Sequence, residues 1–152
     1  MKGNNQIEIL QENINGLKEA QKWLQRSYDI CRNHPFPPRK DEEMDDFESL
    51  TSRYARAGDI LFNKVFRSIY YIENAETASL LDVTLFMERV GVVDDALEAR
   101  KIKELRNDIV HDYSFDDLNV LFGEVLTLTP VLIDSIKKAI DYSEKLKKKF
   151  YQ

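Results

Sequence analysis

Apolar residues recur at alternating spacings of three and four over stretches far too long for strands. The first stripe runs from Ile7 through Leu10, Ile14, Leu17 and Leu24 to Tyr28, which is one face of a long amphipathic helix. It should stop near Asn33, because His34-Pro35-Phe36-Pro37-Pro38 cannot continue a helix. A second stripe follows at Phe47, Leu50, Tyr54, Ala57, Leu61, Val65, Ile69 and Ile72, with Asn74 as its stop. The acidic run Asp41–Asp46 between them reads as a solvated loop leading into that helix, whose positive N-terminal end favours negative charge.

Shorter periods close the chain. Ser79 with Asp82 three residues on, and Gly91 at the end, frame a third helix. Asp95 and Glu98 open a fourth, carrying Leu97, Ile102, Leu105, Ile109 and Val110; the last three should anchor it in the core. Ser114 and Asp117 open a final segment rich in Leu, Val and Ile that runs to Leu146. Pro130 inside it either kinks one helix or begins another. The expectation is an all-α, single-domain chain over residues 1–152, with its core in about residues 7–149: an antiparallel bundle of four main helices plus a short one. With 43% hydrophobic residues in 152, there is enough apolar side chain for one sizeable core.

Composition excludes several classes. The single cysteine, Cys31, allows no internal disulfide and lies on the apolar stripe of the first helix, as a buried thiol would. The start MKGNNQIEIL is polar where a secretory signal is apolar, and apolar runs elsewhere are interrupted within a few residues. These features imply a cytoplasmic protein without a membrane span. A formal charge of −5 argues against a generally basic nucleic-acid surface, so any such contact must be local. His34 has no second histidine or cysteine at metal-ligand spacing, and neither a metal nor a cofactor is expected. The basic KLKKKFYQ end suits a C-terminal helix dipole.

One string stands apart: Glu104-Leu105-Arg106-Asn107-Asp108-Ile109-Val110-His111-Asp112-Tyr113. Arg106 and Tyr113 are seven apart and nearly share a face, while Asn107 and His111 stack one turn over the other. Arg106 and His111 differ in direction by about 140° on an ideal helix. A bland account exists: His111 as a dipole-compatible helix end, and Arg106 paired with Glu104 or Asp108. The alternative is metal-independent RNA cleavage. Histidine transfers protons near neutrality, and arginine offers a permanent forked charge to a crowded phosphate. Asn107 and Tyr113 would orient the histidine or donate to phosphate.

Arg106-Asn107-Asp108-Ile109-Val110-His111-Asp112-Tyr113 resembles the R-x4-H-x-Y signature of HEPN-domain toxins of the HepT type. The broader resemblance covers roughly Phe47 to Leu146 and extends to small helical proteins described as substrate-binding partners of minimal nucleotidyltransferases. It implies a homodimer whose motif helices line a shared cleft, an RNA substrate, and Arg106 and His111 as the core catalytic pair with Asn107 beside them. It also implies an MntA-like minimal nucleotidyltransferase antitoxin that transfers AMP to Tyr113. The longer first helix and the acidic, proline-bearing loop from Asn33 to Asp46 depart from the family pattern. A non-catalytic nucleotidyltransferase-binding subunit is the second reading, and a plain helical interaction module the third.

Overall fold

The computed structural model describes residues 2–111 and 115–151, with the side chains of residues 2–4, 115 and 116 left aside. The described chain is all-helical, without strands. Helix α1 (Lys2–Cys31) packs along a rod made of α2 (Asp41–Asp59), a π-helical segment (Ile60–Val65) and α3 (Phe66–Asn74). Asn13 donates to Ser68 Oγ and Arg53 donates to Ser27 Oγ, so α1 and the rod run in opposite directions. A short α4 (Leu80–Arg89), then α5 (Ala96–Ile109) and the long α6 (Phe115–Phe150), complete the order.

Both stripes are buried as the periodicity requires. Leu10, Ile14, Leu17 and Leu24 of α1 meet Phe47, Leu50, Tyr54, Ala57, Leu61, Val65 and Ile69 of the rod in one core. The spacing Ala57–Leu61–Val65–Ile69 is a run of fours, and on an ideal α-helix each step would drift about 40° off the stripe. The wider π turn absorbs that drift and keeps Leu61, Phe62 and Val65 buried. The rod ends at Asn74, where Ala75 turns left-handed at φ 57° and its N–H bonds the Tyr71 carbonyl.

The acidic run is helix rather than loop, because α2 begins at Asp41. Glu43 makes this start possible: its Oε1 accepts the N–H groups of Arg39 and Lys40 at 3.0 and 3.1 Å. These two donors hold the Glu43 carboxyl below the ordinary range. Ser79 caps α4 through the Asp82 N–H and Gly91 takes φ 83° beyond its end, both as the sequence implies. For α5, Asp95 accepts from the Leu97 N–H, while the Ala96 N–H donates to Glu88 on α4. Ser114, the expected cap of the last helix, lies outside the described residues.

One expectation about α5 is corrected, and the alternative left open at Pro130 is decided. Val110 does not anchor the helix: at its C-terminal end the side chain is 60% exposed, as is Leu97 at 68%, and Ala99, Ile102 and Leu105 are the α5 residues fully in the core. Pro130 does not split α6, which continues through it. Thr127 and Thr129 bond back to the carbonyls of Gly123 and Val125, both just ahead of the Leu126 carbonyl that proline leaves without its usual donor. The segment Asp117–Phe150 is also long and apolar enough to cross a membrane, contrary to the reading of interrupted runs. In this fold its Phe122, Val125, Leu132, Ile136 and Ala139 lie in the core.

Candidate functional site

Arg106 reaches the rod because α5 crosses it closely. The buried Tyr54 hydroxyl donates to the Ile102 carbonyl at 3.1 Å, one turn before Arg106. Burial, with Glu124 nearby, pushes the Tyr54 phenol well up, so it stays a donor. Next along the crossing comes Gly58. A Cβ there would lie 3.8 Å from Arg106 Cγ, an ordinary contact distance, so the arginine stem runs directly beside this residue. The guanidinium then meets Asp59, with Nη2 3.1 Å from Oδ1, and Nη1 lies 3.2 Å from Asn107 Oδ1. Asp59 Oδ1 also accepts from Asn63 Nδ2 at 2.7 Å.

The result is a four-residue network, Asn63–Asp59–Arg106–Asn107, set where α2 gives way to the π segment. Such segments often mark functional positions. The arginine head is fixed but 28% exposed, and its Nε is buried without a hydrogen-bond partner among the described residues. Neither sequence candidate for pairing holds Arg106: Glu104 bonds Arg100 at 2.9 Å, and Asp108 makes no ion pair among the described residues.

His111 stands exposed just past the end of α5. The last turn tightens, because the N–H groups of Val110 and His111 bond the carbonyls of Asn107 and Asp108, three residues back. Two steps at about 120° instead of 100° bring the directions of Arg106 and His111 to about 180° apart. Within one chain the tightened turn therefore separates the pair further. Arg106 and Asn107 are brought together, and His111 points elsewhere. Tyr113 lies outside the described residues.

Asp59 and Asn63 were not legible as site residues. Their i,i+4 spacing is unremarkable, and nothing local links them to a side chain on a distant helix. Gly58 left a faint signal, as an isolated glycine inside a helical stripe.

Other reactive groups have structural partners. Cys31 is buried, and burial, then Asp46, push its thiol up to about 12, which makes it a poor nucleophile. His34 Nε2 lies 2.7 Å from Asp46 Oδ2. No group of three metal-ligating side chains occurs among the described residues. Comparison with protein-family models, with curated proteins and with solved structures returns no match.

Proposed function

We propose that this chain is a metal-independent endoribonuclease toxin of the HEPN, HepT-like kind, built as an antiparallel bundle of four main helices plus a short one. The observation that supports it is the Arg106–Asn107–His111 arrangement at an exposed helix end. There a fixed, partly exposed guanidinium and a solvent-facing imidazole offer the two groups that RNA transesterification needs. The imidazole takes the 2′-hydroxyl proton, the 2′-oxygen attacks phosphorus, and the P–O5′ bond breaks as the leaving oxygen takes a proton from water, the imidazolium then returning its own proton to solvent. Arg106 carries the charge that develops on the phosphoryl oxygens.

The divergence of Arg106 and His111 favours a site shared between two copies of the chain, with Arg106 of one facing His111 of the other. A cytoplasmic MntA-like nucleotidyltransferase antitoxin neutralises the toxin by adding AMP to Tyr113. The adenylate's charge and bulk beside the phosphate site would block RNA. A non-catalytic nucleotidyltransferase-binding subunit is the second reading, favoured by the absence of a close Arg106–His111 pair within one chain.

Mixing inactive variants tests the shared site. After subunit exchange between Arg106→Ala and His111→Ala proteins, about half the dimers are mixed and each regains one intact site, so about a quarter of the normal activity returns. No recovery would mean that each site belongs to a single chain. Inactivity of the unmodified protein would leave the partner-subunit reading.

A further inference from the structure

Arg106 is one edge of a larger exposed face. The outer side of α2 carries Ser52, Arg56, Asp59 and, in the π segment, Asn63. On the α5 side of that stripe Asp59 holds Arg106. On the α1 side stands Trp23, the chain's single tryptophan and 40% exposed. Its indole N–H donates to Glu19 at 3.0 Å, which fixes the ring and occupies the nearest carboxylate. Arg53 lies 5.1 Å from the ring centroid and is itself held by Ser27 at 2.6 Å; the Lys22 ammonium also lies 5.1 Å from the ring.

Some cations elsewhere on the chain are ion-paired. Arg100, Lys138 and Lys147 each bond a carboxylate. Lys18, Lys22 and Arg26, one turn apart along α1, and Arg53 and Arg56 on α2 make no ion pair among the described residues. Lys22, Arg53 and Arg56 thus gather beside one exposed, oriented indole on a chain of charge −5. Cations that track phosphates, beside an aromatic ring on which a base stacks, are the recognition chemistry of single-stranded nucleic acid.

We propose that the Trp23–Arg53–Arg56 face is a binding track for single-stranded RNA that leads across α2 to Arg106. Arg56 lies three residues before Asp59, the carboxylate that holds Arg106, so a strand that leaves Arg56 continues toward the Arg106 guanidinium. A base that stacks over the exposed part of Trp23 displaces the Lys22 ammonium, whose flexible stem then serves a phosphate. The track's destination rests on the ribonuclease reading of Arg106; its binding chemistry does not.

Trp23 is its own reporter. In a His111→Ala background, a short oligouridylate should quench tryptophan fluorescence saturably, and an RNA duplex should do so far less. Anisotropy of the labelled oligouridylate should show binding at least about tenfold weaker in Trp23→Ala and largely kept in Trp23→Phe. Arg53→Ala with Arg56→Ala, which removes two phosphate contacts, should make the slope of log K against log salt shallower by about 1.4. Unchanged fluorescence at saturating RNA, equal binding by all variants, or a response to phosphatidylserine vesicles and not to RNA would overturn the proposal. Quenching by an RNA that the unmodified protein fails to cut would sink the ribonuclease reading and keep the track. Cleavage undiminished when Trp23→Ala, Arg53→Ala and Arg56→Ala are combined in a protein that keeps His111 would do the reverse.

Discussion

Asp59 Oδ1 and Arg106 Nη2 lie 3.1 Å apart, joining α2 to α5 across 47 residues of sequence. The pair is partly exposed, so its contribution to stability is small, at most about 1 kcal/mol. Its effect is geometric: with Asn63 behind Asp59 and Asn107 beside Arg106, a long flexible side chain is held in one orientation.

Loss of that hold should show in rate more than in stability. Asp59→Ala should cut RNA cleavage at least about tenfold with little change in the urea midpoint, because a misplaced catalytic group costs rate steeply. Asp59→Asn keeps an acceptor for Nη2 and should recover much of the activity. Full activity in Asp59→Ala would show that the ion pair does not position Arg106.

Tyr54 ties the same crossing from inside the core. Tyr54→Phe removes one buried hydrogen bond to Ile102, which keeps its own place in the α5 ladder, and should cost about 1 kcal/mol in urea denaturation. An unchanged midpoint would show that packing alone sets the crossing.

Acid stability should report on Glu43. Its folded-state pKa is lowered, first by the N–H of Arg39 and then by that of Lys40, so its contribution is complete above the ordinary glutamate value, about 4.3. As pH falls through the lower folded value, that contribution disappears. Glu43→Gln should therefore unfold more readily at neutral pH, with the gap to the unmodified protein closing in acid. A gap independent of pH would contradict this.

The fold was legible wherever periodicity and breakers agree. The stripes of α1 and the rod, the stop at Asn74 and the caps at Ser79 and Asp95 all follow from local rules. The π segment left a trace in the run of fours from Ala57 to Ile69, which reads equally as ordinary helix until the crossing of α5 is known. Val110 misled because its apolar side chain fits the stripe, yet the tightened last turn carries it into solvent. Arg106 could be singled out by residue type, but its partner Asp59 could not, since that contact depends on where α5 crosses the rod beside Tyr54 and Gly58.

RNA cleavage by the purified chain in excess chelator tests the central claim most directly. The account predicts that single-stranded RNA is cut to products ending in 2′,3′-cyclic phosphate, and that Arg106→Ala and His111→Ala each lose at least about a hundredfold in rate while remaining folded. Absence of cleavage by the unmodified protein, or cleavage undiminished in both variants, would contradict it.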